Sequence, residues 1–110
     1  MKDVSGNELL QVLGTLANPH RLRVVSALAD EPNYVSRLAR ELGISRALLQ
    51  VHLRKLEAAG LVRAHIEVSK DGTAMKFYEV TPFAFYLTPE TIMTATRSLS
   101  VAGELEAELR

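Results

Sequence analysis

The chain has 110 residues, 47% of them apolar and 5% aromatic, enough for one small core built mostly of Leu, Val and Ala. It contains no cysteine, which excludes disulfides, thiolate metal ligands and cysteine nucleophiles, and its formal net charge is zero. Met1 to Gly6 lacks the apolar stretch of a secretory signal, and the longest apolar run, Phe83 to Leu87, is far short of the roughly 20 residues of a membrane span. A soluble, cytoplasmic protein with no membrane partner is expected.

The first helix is expected from about Asn7 to Ala17, with Leu9, Leu13 and Leu16 on one stripe and Leu10, Val12 and Ala17 widening it. A helix apolar over so much of its circumference wants partners on two sides, and in so short a chain the second points to another subunit. Asn18-Pro19 breaks it, with Pro19 suited to the first position of a second helix, His20 to Ala29. There Leu22, Val25 and Leu28 are expected inward, leaving Arg21 and Arg23 to reach solvent or phosphate. Asp30-Glu31-Pro32-Asn33 reads as a turn. Tyr34 to Leu42 is a short helix with Val35, Leu38, Ala39 and Leu42 at helical spacing. Ser36 and Arg37 lie near its start, where a helix N-terminus and a guanidinium can meet a backbone phosphate. Arg37 can equally pair with Glu41 at i,i+4.

Gly43-Ile44-Ser45 is a tight turn that ends with an N-cap residue. In the following helix, residues 45–59, Leu49, Leu53 and Leu56 share one face with His52 beside them. Arg46, Ala47, Gln50, Val51 and Arg54 point elsewhere. Gly60 stops the helix. Val62, Ala64, Ile66 and Val68 then alternate with polar residues, and Lys70-Asp71-Gly72-Thr73 carries an Asp-Gly hairpin signal. Met75 to Thr81 returns, with Tyr78 and Val80 inward near the base; the register further out reads either way. Lys70 and Lys76 place positive charge at the far end of this hairpin. A short helix, a Gly turn, a longer helix and a hairpin make a helix-turn-helix opening into a wing.

Thr88-Pro89-Glu90 looks like an N-cap, a first-position Pro and a first-turn acid. A last helix is expected over about 89–108, with Ile92, Ala95, Leu99, Ala102 and Leu105 (or Gly103 and Leu109) as its apolar side. The fold class is mostly α with a small β-hairpin, in the order α-α-α-α-β-β-α, as one domain of residues 1–110.

Charge is unevenly spread. From His20 to Arg63 eight cations (Arg21, Arg23, Arg37, Arg40, Arg46, Arg54, Lys55, Arg63) face four acids (Asp30, Glu31, Glu41, Glu57). A basic middle between acidic ends suits a phosphate-facing surface, and equally a set of solvated helix faces.

Leu16-Ala17-Asn18-Pro19-His20-Arg21-Leu22-Arg23-Val24-Val25 resembles the "L-x-x-P-x-R-x-x-I/L-x-x-L" opening of arsenic-repressor (ArsR)-type winged-helix regulators. Ile44-Ser45, with Gln50-Val51-His52-Leu53-Arg54-Lys55-Leu56-Glu57-Ala58-Ala59-Gly60-Leu61-Val62, is similar to that family's "S-x-x-x-x-S-x-H-L-x-x-L-x-x-A-G-L-V". The likeness covers roughly residues 7–81. It implies a homodimer joined through the first and last helices, binding a palindromic double-stranded DNA operator as a transcriptional regulator, usually a repressor. The dimer seam would then hold Leu9, Leu13, Leu16, Ile92, Leu99 and Leu105.

Metal-sensing members carry a Cys pair in the helix before the reader, or His/Asp ligands in the last helix. The stretches here, Tyr34 to Leu38 and Thr91 to Arg110, hold neither Cys nor His. His20, His52 and His65 fall in three elements without ligand spacing, so no metal and no cofactor are expected. His52 is expected to pack against the preceding helix with one ring nitrogen hydrogen-bonded. Leu48 and Val51 depart from the small polar side chains that the resemblance leads one to expect near DNA; they can touch thymine methyls or meet a protein instead.

In the DNA-binding reading, Ser45, Arg46, Ala47, Gln50, Val51 and Arg54 face the major groove, and Ser36, Arg37, Arg21, Lys70 and Lys76 hold the backbone. The alternative is a winged-helix module for protein–protein interaction. No nucleophile elbow, phosphate loop or paired carboxylates on one face suggest an enzyme.

Overall fold

The computed structural model describes residues 4–100. Its elements are α1 (Gly6–Leu16), α2 (Pro19–Asp30), α3 (Val35–Leu42), α4 (Arg46–Ala58), β1 (Val62–Val68), β2 (Ala74–Val80) and α5 (Pro89–Thr96), the expected winged helix-turn-helix order. The chain divides into two compact units, residues 15–82 and the terminal segments up to Gly14 and from Phe83 onward.

Helix boundaries in the 15–82 unit have local causes. Asn18 caps α2, its Oδ1 accepting from the backbone N–H of His20 (2.9 Å) and Arg21 (3.2 Å), with Pro19 in the first turn. Gly43 ends α3 at φ 68°, a left-handed conformation that costs a residue with Cβ. Ser45 caps α4, its Oγ accepting from Leu48 N–H at 3.0 Å. Val24, Leu38, Leu49, Leu53, Leu56, Leu61, Val62 and Tyr78 form the core. Each large aliphatic side chain among them stabilises the fold by about 1.5–3 kcal/mol.

The antiparallel hairpin pairs Val62 with Val80, Ala64 with Tyr78 and Val68 with Ala74. Its tip is a three-residue loop, Lys70-Asp71-Gly72, closed by Ser69 N–H donating to Thr73 O, with Gly72 at φ 87°. The Asp-Gly pair marks the hairpin as expected, in a bulged turn. Asn33, read from the sequence as part of a turn, is 3% exposed. Its N–H and C=O both pair with the Tyr78 backbone (3.0 and 2.8 Å), adding a bridge along β2. Its Nδ2 donates to Glu41 on α3 at 3.2 Å.

Several expectations need correction. In α2 Leu28 is buried as expected, but its partner in the core is Val24, while Leu22 is exposed and Val25 half-buried; neighbouring apolar positions 22, 24 and 25 let the helix take a phase rotated from the one expected. Ile66 and Val68 are exposed, because alternation marks a face of β1 and supplies nothing for its outer half to pack on.

In the terminal unit, α1 buries Val12, while Leu9 is half-buried and Leu13 exposed. Leu16, in the last turn of α1, is half-buried. Gly6 N–H donates to Ser98 Oγ at 2.8 Å, and Asn7 exchanges hydrogen bonds with Ser100. Thr88 and Thr91 cap α5 reciprocally. The helix expected over 89–108 closes at Thr96. Thr96 and Ser98 hydroxyls donate to the carbonyls of Met93 and Ala95, competing with the helical ladder. Leu105, with Ala102, Gly103 and Leu109, lies outside the described residues. No helix among the described residues is long and apolar enough to cross a membrane.

Candidate nucleic-acid interface

The central candidate is the outward surface of α4. Leu49, Leu53 and Leu56 are fully buried on the inner side with His52 at 6% exposure, so the helix cannot rotate without losing them. The opposite side carries Arg46, Ala47, Leu48, Val51 and Arg54, all exposed, with Gln50 half-buried. Residues 46, 50 and 54 repeat every four positions and make one row about 12 Å long along the axis. Neither Arg46 nor Arg54 has an ion pair or side-chain hydrogen bond among the described residues. Ser45, at the N-cap, is exposed beside this row.

The other cations differ. Arg37, half-buried with Ser36 at the start of α3, donates from Nε to Glu41 at 3.0 Å and from Nη2 to Glu31 at 3.2 Å. Arg63 is paired with Glu79 across the hairpin at 3.0 Å. Arg21, expected at solvent or phosphate, is held by the chain itself. Its Nε donates to Thr15 O at 2.5 Å and its Nη1 lies 3.3 Å from His52 Nδ1. A guanidinium only donates, so His52 Nδ1 accepts and the ring proton sits on Nε2, which is buried without a partner among the described residues.

His52 therefore contacts α2, with one ring nitrogen hydrogen-bonded as expected. Its ring stacks on that of His20, with centroids 5.4 Å apart. This brings together two histidines that their sequence spacing separates; only His65, stacked on Phe77, stays apart on the hairpin. Burial, then the charges of Arg21, His20 and Lys55, lower the His52 pKa below 6.5. No sequence signal pointed to the His20 contact, since a ring stack across two helices has no periodicity.

On the wing, Lys70 stands exposed at the tip. Asp71 beside it accepts from the Ser69 hydroxyl and from Thr73 N–H, which together hold its carboxyl below the usual range. Lys76 is exposed, but its Nζ leans back over the Tyr78 ring, 5.3 Å from the centroid, toward the hairpin base. Among the described residues no group of three or more His, Asp or Glu side chains is arranged to hold a metal ion.

A family model described as bacterial regulatory protein, arsR family, matches residues 18–64, from the cap of α2 into β1. An uncharacterized HTH-type transcriptional regulator from Methanocaldococcus jannaschii is 38% identical over 77 residues, 70% of this chain and 80% of that protein. Two solved structures share the fold. One is the transcriptional repressor BigR from Xylella fastidiosa, with TM-score 0.60 and 24% identity over 83% of this chain and 79% of that one. The other is a homodimeric winged helix-turn-helix DNA-binding domain from Mycobacterium bovis, a possible ArsR-family transcriptional regulator. It gives TM-score 0.59 and 21% identity over 94% of this chain and 84% of that one. With the capped α3–α4 pair and the hairpin that follows it, these likenesses give the conclusion: the chain belongs to the ArsR family of transcriptional regulators and carries its winged-helix DNA-binding fold.

Proposed function

We propose that the protein acts as a homodimeric repressor that reads a palindromic operator in double-stranded DNA, with α4 in the major groove and the hairpin tip, residues 69–76, on the backbone. The observation that carries this reading is the row Arg46, Gln50 and Arg54, held outward by a leucine-anchored helix and left without an acidic partner. Gln pairs bidentately with adenine and Arg with guanine, each worth about 1–3 kcal/mol of discrimination. Ser45 and Ala47 would lie close to the duplex at the helix start, and Val51 beside Gln50.

Phosphate contacts are assigned to Ser36, Arg37, Lys70 and Lys76, which would add salt-dependent affinity without sequence choice. Arg37 must leave Glu31 and Glu41 to contribute, so it ranks below Arg46 and Arg54. The homodimer reading is supported by the exposed Leu13 and Ile92, with Leu9, Leu16 and Leu99 half-buried near them in sequence, and by the homodimeric Mycobacterium bovis domain. Two readers in a symmetric dimer would meet half-sites about 34–36 Å apart. The repressor role follows the Xylella fastidiosa protein.

The test selects duplexes from a random pool and titrates them, with unselected duplex as control, at low and high salt. Arg54→Ala and Gln50→Ala should each cost the selected duplex about 1–3 kcal/mol and the control much less. Lys70→Ala with Lys76→Ala should flatten the salt dependence and spare sequence preference. Absence of binding even at low salt would refute the reading and favour a protein-docking module. Leu13→Asp with Ile92→Asp should convert a sedimenting dimer to a monomer; an unchanged profile removes that seam.

A further inference from the structure

We infer that Leu48 and Val51 are specificity-determining residues that read thymine 5-methyl groups, so that each half-site contains A·T pairs recognised by apolar contact. This deepens the proposed function and rests on α4 lying in the major groove.

Leu48 is 39% exposed and Val51 43% exposed, and they stand three residues apart on one surface of α4. Single exposed apolar side chains are ordinary. This pair forms a strip with the exposed Ala47, and the strip runs beside the row of Arg46, Gln50 and Arg54. Folding does not account for it. The core contacts of α4 are made by Leu49, His52, Leu53 and Leu56, and β-branched Val is a poorer helix former than Ala at an exposed position.

Charge selects the occupant. Arg46, Arg54 and Lys55 surround the strip and no acid precedes Glu57 on this helix, so the surface suits a polyanion that also presents apolar groups. In the major groove of duplex DNA the thymine methyl is that group, set among hydrogen-bonding base edges. Leu48 and Val51 are about 4.5 Å apart along the helix axis, between one and two base steps at about 3.4 Å each. Gln50, next to Val51, is chemically matched to the adenine of the same or an adjacent A·T pair. The half-site should thus carry thymines within two steps of one another.

The experiment takes duplexes selected by the wild-type protein from a random pool and replaces each half-site thymidine in turn by deoxyuridine, which removes only the methyl. Affinities are measured at fixed salt for the wild type and for the Leu48→Ala/Val51→Ala double variant. Both positions are solvent-facing and Ala favours helix, so the variant keeps the fold, as circular dichroism would verify. At one or two positions the wild type should lose about threefold to fivefold affinity, and the variant should bind both forms alike with an unchanged salt slope. Equal wild-type affinity at every position, or a selected half-site without thymine, overturns the inference while tight binding of the selected duplex leaves the reading of α4 standing. Discrimination that survives in the double variant overturns the assignment to these side chains. Failure to select any sequence overturns the inference and the reading beneath it together, and points to a protein partner.

Discussion

In the unit of residues 15–82, Val24, Leu38, Leu49, Leu53 and Leu56 are completely buried. In the terminal unit the buried apolar side chains among the described residues are Val12 and Ala95, while Leu10, Leu13, Tyr86, Leu87, Ile92 and Met93 stay exposed. The two regions use similar residue types to different ends. The first closes a leucine core that can hold a rigid reader, with Leu22, Leu48, Val51, Ile66, Val68 and Met75 left exposed around it. The second keeps apolar surface in reserve for another body, which in the proposed homodimer is the same surface of a second copy.

The sharpest way to break this contrast is to empty one region and then alter the other. Leu53→Ala should lower unfolding free energy by about 2–5 kcal/mol in urea titration, at every protein concentration. Ile92→Asp should do little to a single chain and instead abolish the dependence of the unfolding midpoint on protein concentration. If Ile92→Asp proved as costly as Leu53→Ala in dilute solution, the terminal unit would have a core of its own and the contrast would fail.

Gly6→Ala comes next. A Cβ at Gly6 would lie 2.5 Å from the Ala95 carbonyl oxygen and 2.6 Å from Leu99 Cγ, and the carbonyl cannot turn aside without disturbing α5. We expect a loss of about 1–3 kcal/mol, seen as a lowered thermal midpoint. A neutral outcome would mean that the α1–α5 approach is looser than its geometry.

These two regions were also unequally legible in sequence. Asn18-Pro19, Gly43, Ser45, Asp71-Gly72 and Thr88-Pro89 act on the backbone within a few residues, so the starts of α2, α4 and α5, the end of α3 and the hairpin turn could be read directly. The inner face of α4 was equally plain from leucines at 49, 53 and 56. What escaped depends on what lies opposite. Leu22 and Val24 are both apolar, and only packing decides which is buried. Ile66 and Val68 alternate correctly yet find no layer beneath them. Arg21 looks like any surface cation until Thr15 O and His52 Nδ1 appear beside it. The end of α5 escaped because an apolar spacing continued where Thr and Ser hydroxyls had begun to bond backbone carbonyls. In the candidate interface the row 46, 50 and 54 was legible as a helix face, whereas the engagement of Arg37 by two acids required the position of Glu31.

Ser45→Ala is a milder test within the first region. It removes the acceptor for Leu48 N–H at the start of α4 and should cost about 1 kcal/mol of stability. Because Leu49, Leu53 and Leu56 keep the helix seated in the core, the fold should survive with a frayed first turn. Hydrogen exchange at Leu48 should quicken while exchange at Leu53 and Leu56 changes only by the global loss. Equal quickening throughout α4 would show that the cap holds the whole helix.

The smallest effect, nil at neutral pH, comes from the one imidazole in the first region's core. His52 is 6% exposed, and burial, then Arg21, His20 and Lys55, hold its folded pKa below the unfolded value of 6.5. Folding therefore favours the neutral ring. That contribution is complete above pH 6.5, and it is lost as pH falls from there toward the folded pKa, where the unfolded chain binds a proton that the folded one refuses. The loss is bounded by about 1.4 kcal/mol for each pH unit below 6.5. Urea midpoints measured between about pH 7.5 and pH 5.5 should fall for the wild type, and fall less steeply for His52→Gln, whatever the offset between the two curves. The comparison uses slopes because losing the Nδ1 acceptor for Arg21 lowers stability at every pH. Parallel slopes would mean that His52 accepts its proton without resistance, and that the core of the reader is open to water at the point where α2 and α4 meet.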